Sequence, residues 1–129
     1  MHATAGGPRS TLQIRKEVVA PDIVVLHLSG RVAMGRPCQE IEAQIEELIQ
    51  QNVHKFVLDL TEVHRVDSTG FGTIVLGAGK FKKAGGEMRI AGAKGIVEEI
   101  AYTANLPRII PFHTTVEEAV AGFTNPIST

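Results

Sequence analysis

Leu12, Ile14, Lys16 and Val18 alternate with polar neighbours, and an apolar run from Ile23 to Leu28 follows after Ala20, Pro21 and Asp22. A period of two marks a strand with one buried face. Pro presets the φ of a turn and Asp tolerates its geometry, so the stretch predicts a β-hairpin. Beyond Gly30 and Gly35, residues Ile41, Ile45, Leu48 and Ile49 recur at i, i+4, i+7 and i+8, with Glu42, Glu46 and Glu47 set opposite them. That spacing gathers the apolar side chains on one helix face and leaves an acidic face in solvent. Pro37 suits the first turn of that helix, where its missing N–H costs nothing.

Phe56-Val57-Leu58-Asp59-Leu60 shows little alternation, as expected of a central strand covered on both faces. After Val63 to Gly70, a loop or strand end in which His64 is expected to lie in a loop, comes a second helical pattern with Phe71, Ile74, Val75 and Ala78. Its first turn contains Asp67 or Ser68, and Gly85-Gly86 ends it as C-terminal glycines do. A strand around Met88 to Ala91, a helix with Ile96, Val97, Ile100, Ala101 and Ala104, and a strand around Ile109 to Phe112 follow. In the last helix Thr115 and Glu118 have capping-box spacing, and Val116, Ala119, Val120 and Phe123 share one face. Strands alternating with helices after an initial hairpin predict an α/β layered fold with a mostly parallel sheet. The expected organisation is a single domain over residues 12–124, with tails at 1–11 and 125–129.

Composition narrows the function classes. The chain has 129 residues, 43% of them hydrophobic and 21% charged, which excludes a disordered polymer. Thirteen basic against fourteen acidic side chains give a formal charge of −1. That balance lacks the basic excess which binding a phosphate backbone requires, so no nucleic acid partner is expected. No segment approaches the roughly 18 apolar residues of a spanning helix, and Met1 to Pro8 lack the charged and apolar regions of a secretion signal. With one cysteine, Cys38, there is neither an internal disulfide nor a CxxC arrangement. A cytoplasmic protein without a membrane partner is expected.

Most candidate chemistry fails on spacing. Gly70-Phe71-Gly72 and Gly77-Ala78-Gly79-Lys80 suggest a phosphate loop, but a Walker A motif needs glycine at Ile74 and Ser or Thr at Phe81. Close packing of helix on sheet is the preferred reason for these glycines. The five histidines, His2, His27, His54, His64 and His113, form no i, i+4 pair and have no cysteine at ligand spacing, so no metal site is expected. Ser68 lacks a GxSxG elbow, so no catalytic triad can be built from sequence spacing. The carboxylates of the first helix read as a solvated face, and Cys38 as structural.

Asp67-Ser68-Thr69-Gly70 remains, a polar cluster between two apolar runs. A Ser or Asp here caps the helix by accepting from a first-turn amide. The same place suits a switchable charge, since a phosphate on Ser68 would meet free amides and the positive end of the helix dipole. Asp67 would repel that phosphate, so modification would alter mainly what the surface can bind.

With Phe56 to Leu60, Val66-Asp67-Ser68-Thr69-Gly70-Phe71-Gly72 and Lys82-Lys83-Ala84-Gly85-Gly86-Glu87-Met88-Arg89-Ile90-Ala91, the sequence resembles the STAS domain family, and within it the single-domain bacterial anti-sigma factor antagonists. The resemblance implies a mixed β-sheet with packed helices, no enzymatic activity and no cofactor. It also implies partner switching. An anti-sigma factor that is also a serine kinase would phosphorylate Ser68, and a serine phosphatase would reverse it. The unphosphorylated protein would hold the kinase through Asp67, Ser68, Thr69 and Gly70. Family antagonists commonly have an acidic G-E-[LIV]-D element where this chain has Gly30-Arg31-Val32-Ala33, which puts a positive charge, Arg31, at the expected partner surface. A scaffold-like STAS module that is not phosphorylated is the alternative, and a ligand-binding protein using Gly70 to Lys80 is the third reading.

Overall fold

The computed structural model describes residues 11–19 and 21–124; of the tails expected at 1–11 and 125–129, residues 1–10 and 125–129 lie outside the described residues. The hairpin forms as expected, from β1 (Leu12–Val19) and β2 (Ile23–Val32) paired antiparallel. There follow α1 (Arg36–Gln50), β3 (Lys55–Val66), α2 (Ser68–Lys83), β4 (Glu87–Ala91), α3 (Gly95–Thr103), β5 (Phe112–His113) and α4 (Val116–Thr124). The strands lie in chain order, β1-β2-β3-β4-β5, and all pairings after the hairpin are parallel.

Chain order matters because parallel crossovers are right-handed almost without exception. Connections that always step the same way across the sheet then place their helices on one side. The main core agrees: Ile41, Ile45 and Leu48 of α1, Ile74 and Phe81 of α2 and Val97 of α3 pack with Leu26, Leu28, Phe56, Leu58 and Ile90 of the sheet. Phe81 meets Phe56 with ring centroids 5.3 Å apart. The other face is left to α4, whose Ala119 closes a smaller cluster with Ile23, Val25, Val57 and Ala91. The strand Phe56 to Leu60 is thus covered on both faces, as its lack of alternation implied.

Two expectations are corrected. The strand expected around Ile109 to Phe112 is a short 3-10 turn, Leu106–Arg108, followed by the two-residue β5. Asn105 adopts a left-handed conformation and Pro107 enters the turn, so Ile110 is buried while Ile109 faces solvent. The second correction concerns the segment holding His64, which belongs to β3 rather than to a loop. Two register shifts against β2, one between His27 and Ser29 and one between Gly30 and Arg31, insert extra residues into β3. Each re-aims the strand. Leu60, Val63 and Val66 therefore all reach the main core at a spacing of three.

The glycine expectation holds in part. A Cβ on Gly70 would collide with the Val32 carbonyl oxygen of β2, and one on Gly77 with Ile45 of α1, so one contact is with sheet and the other with helix. Gly72 and Gly79 face open space, and packing does not explain them.

At the far edge, Arg89 Nη1 donates to His113 Nε2 at 3.0 Å, and its guanidinium carbon lies 4.8 Å from the Phe123 ring centre. An arginine only donates, so His113 must accept, which requires the neutral ring. Burial and the Arg89 charge push His113 below its ordinary value of 6.5, against a smaller upward pull from Glu118 and Glu87.

Two predictions follow from these contacts. Gly79→Ala raises stability by up to about 1 kcal/mol through helix propensity, whereas Gly70→Ala lowers it by roughly 1–3 kcal/mol because a backbone oxygen must move; urea unfolding of both variants checks the opposite signs. For His113, the neutral ring is the native form, so its contribution is complete above about pH 6.5 and is lost as pH falls from there through the lowered native value. Melting temperature against pH should therefore show a slope in that window that flattens in His113→Gln.

Candidate functional site

The site is built where β3 hands over to α2. Asp67 N–H donates to the Val32 carbonyl at 3.1 Å, which holds the start of α2 against the end of β2. Asp67 then leaves the helical conformation, at φ −87° and ψ 179°, and caps the helix: its Oδ1 accepts from Gly70 N–H at 2.7 Å. The other oxygen, Oδ2, accepts from Met34 N–H at 3.0 Å. One carboxylate thus ties the loop before α1 to the first turn of α2. The Met34 and Gly70 amides, in that order, hold the Asp67 carboxyl below its ordinary value of 3.8. The capping role read from the sequence falls to Asp67, and Ser68 is the first residue of the helix.

Ser68 and Thr69 are exposed, while Gly70 is buried beneath them. The Ser68 hydroxyl makes no hydrogen bond among the described residues. Arg31 is also exposed, one residue before Val32, and the chain therefore brings all five expected site residues to one end of the sheet.

Sequence reasoning missed four neighbours. Met34, 72% exposed, sits on the loop whose amide Asp67 holds. Ile96 and Ile100 of α3 are exposed and form, with Arg65, Val66 and Asp67, a groove of about 280 Å³. Arg65 lies directly across from Arg31 in the β2–β3 register. The sequence pattern placed Ile96 and Ile100 on a helix without showing that they are exposed, and the register pairing two arginines depends on the bulges.

The hidden carboxylate is elsewhere. Asp59, only 8% exposed, has its Oδ2 2.6 Å from His27 Nδ1, while its Oδ1 accepts from the Thr61 hydroxyl at 2.6 Å and the Thr61 N–H at 3.0 Å. His27 Nε2 lies 2.7 Å from Glu17 Oε1. This chain of contacts lines a hollow of about 760 Å³ beside α4, on the sheet face away from α1 and α2. Ser68 is not among its partners. No group of three or more His, Cys, Asp or Glu among the described residues is placed to hold a metal ion. Cys38 is buried, its thiol 3.2 Å from the Ala33 carbonyl, and Glu42, Glu46 and Glu47 face solvent. No described helix is long and apolar enough to cross a membrane.

Comparison with known proteins agrees with this architecture. The STAS domain profile matches residues 15–119, and the chain belongs to the STAS domain family. A Thermotoga maritima protein described as a candidate anti-sigma factor antagonist superposes with a TM-score of 0.77 at 23% identity, covering 84% of this chain and 92% of that one. The unphosphorylated anti-sigma factor antagonist SpoIIAA, a Bacillus protein, gives 0.67 at 19% identity over 88% of this chain and 99% of its own. A sulfate transporter family protein from Wolinella succinogenes gives 0.67 at 13% identity, covering 88% and 93%. A search of curated proteins finds no match. Such identities establish a shared fold.

Because two amides share the Asp67 carboxylate, Asp67→Ala should lower the urea midpoint at pH 7, and Asp67→Asn by less, since the amide oxygen can still cap Gly70. The native carboxyl is shifted down, so its contribution is present above about pH 3.8 and is lost as pH falls from there through the native value. The gap between wild type and Asp67→Asn should close over that acid range.

Proposed function

We propose that the chain is an anti-sigma factor antagonist whose binding to a kinase-type anti-sigma factor is switched by phosphorylation of Ser68. The observation that carries this reading is the state of the first turn of α2. Ser68 offers an exposed, unbonded hydroxyl, and the neighbouring Asp67 already occupies the Gly70 and Met34 amides. A phosphate added there finds those amides taken. It would project outward as about −1.5 to −2 of new charge beside a carboxylate kept ionised. A partner seated on this surface would meet uncompensated negative charge, which weakens binding and speeds release. A phosphatase that removes the group restores the original face.

Nothing in this scheme asks the chain for catalysis or a cofactor. The kinase and the phosphatase supply the phosphoryl chemistry, and this protein supplies an acceptor and a docking surface. A cytoplasmic setting accords with the single, unpaired Cys38. The solved neighbour SpoIIAA is itself described in unphosphorylated and phosphorylated forms, which supports reading Ser68 as an acceptor.

One observation favours a second reading. Gly30-Arg31-Val32-Ala33 has no carboxylate where the resemblance expects two, and Arg31 is exposed beside the site. A constitutive STAS module that binds its partner irrespective of Ser68 would tolerate that change.

The discriminating measurement is capture from native-host lysate by wild type, Ser68→Ala and Ser68→Asp, followed by affinity measurement with the captured partner. The phospho-switch expects Ser68→Ala to bind like unmodified wild type and Ser68→Asp to bind roughly tenfold or more weakly, a difference of about 1.4 kcal/mol. Equal affinity of the two variants sinks the switch and leaves the constitutive module.

A further inference from the structure

Arg31 and Arg65 are directly paired across β2 and β3, both exposed. Neighbouring strands lie only about 5 Å apart, and like charges facing each other across strands are destabilising. Neither guanidinium forms a salt bridge or side-chain hydrogen bond among the described residues. The nearest carboxylate along β3, Glu62, pairs in register with Ser29 and makes no ion pair with either. Among the described residues the fold thus keeps two adjacent cations with no carboxylate ion-paired to either, at the end of the sheet where Ser68 stands.

The surroundings say what would cover them. Arg65 is also a wall of the groove formed with Val66, Asp67, Ile96 and Ile100. Ile96 is 53% exposed and Ile100 41%, so two aliphatic side chains lie open beside the arginine. A partner that satisfies both halves carries carboxylates next to an aliphatic side chain.

We propose that Arg31, Arg65 and the Ile96–Ile100 groove form one docking surface for an acidic, aliphatic-bearing segment of a protein partner. This deepens the reading of Ser68 as a switch and rests on it only for the partner's identity. A polyanion such as nucleic acid or an anionic membrane fits less well. Arg31 and Arg65 are two adjacent cations rather than an extended basic track, and the apolar half, Ile96 and Ile100, has nothing to bind in a phosphate backbone. The surface also explains how phosphorylation acts. An acidic partner held by Arg31 and Arg65 would be repelled by new negative charge on Ser68, with Asp67 adding to it.

The test uses single charge reversal, because Arg31→Glu converts a repulsive cross-strand pair into an attractive one with Arg65. The variant should therefore fold at least as stably as wild type by urea unfolding. With the partner captured from nuclease-treated lysate by wild type and Ser68→Ala, Arg31→Glu and Arg65→Glu should each weaken binding at least roughly tenfold, while Arg31→Lys keeps most of it. Reversal of the partner's facing carboxylates to lysine should restore affinity for Arg31→Glu. Ile96→Ser should weaken binding without changing its salt dependence.

Unchanged affinity in Arg31→Glu and Arg65→Glu overturns the surface even if Ser68→Asp abolishes binding. The converse, loss in the arginine variants with Ser68→Asp still bound, keeps the surface and removes the switch. Failure of wild type and Ser68→Ala to capture any partner overturns both. Co-sedimentation of wild type with phosphatidylglycerol vesicles that Arg31→Glu abolishes would replace the protein partner by a membrane and overturn the proposal as stated.

Discussion

Four parallel strands taken in chain order leave their connecting helices only one side of the sheet. Right-handed crossovers that never reverse direction put α1, α2 and α3 together, and the large core follows from their burial against β2, β3 and β4. Among the described residues the opposite face receives one helix, α4, which covers Ile23, Val25, Val57 and Ala91. The same winding gathers the carboxyl ends of the parallel strands at one rim. Loops and helix starts meet there, and there the first turn of α2 comes to the surface.

Within that rim, Asp67 organises its neighbours. By accepting from Gly70 and Met34 it fixes both the start of α2 and the loop that precedes α1. Gly70 is buried against the Val32 carbonyl, so the helix approaches β2 as closely as backbone allows, and Ser68 has a defined position with nothing holding its hydroxyl. Pre-ordering of this kind reduces what a partner must immobilise on binding. It also separates the roles of neighbouring residues: Asp67 shapes the surface, whereas Ser68 is free to change it.

The hairpin, α1, α2 and α4 were legible because their apolar residues keep a single period and their ends bear turn or capping residues. Thr115 and Glu118 show the limit of such motifs. Thr115 Oγ1 accepts from Glu118 N–H as the capping box requires, but the Glu118 carboxylate reaches Thr114 N–H, one residue earlier than expected. The end of β3 was illegible for a specific reason. Leu60, Val63 and Val66 follow a spacing of three, which belongs to no regular strand, and only the two bulges make them share a face. Ile109 and Ile110 misled in the other direction, as adjacent apolar residues that mimic a strand while serving as the exit of a turn. The Ser68 cluster stood out by its residue types. Its arginine pair did not, because register is a property of two strands and no single stretch of sequence contains it.

The smaller cluster beneath α4 has an implication for how the molecule breathes. It is sealed from the main core by the sheet itself, and α4 is reached through β5, a strand of only two residues. Residues in such a satellite layer can open as their own cooperative unit, at a free energy below that of global unfolding. Lifting α4 would leave α1, α2 and α3 in place and would uncover Val19, Ile23, Val25 and Val57 as a contiguous apolar strip. On the same face, β1 displays Arg15 and Glu17 at the sheet margin. Charged edges discourage strand addition by a second molecule, so these side chains act as gatekeepers during the moments when the helix is away.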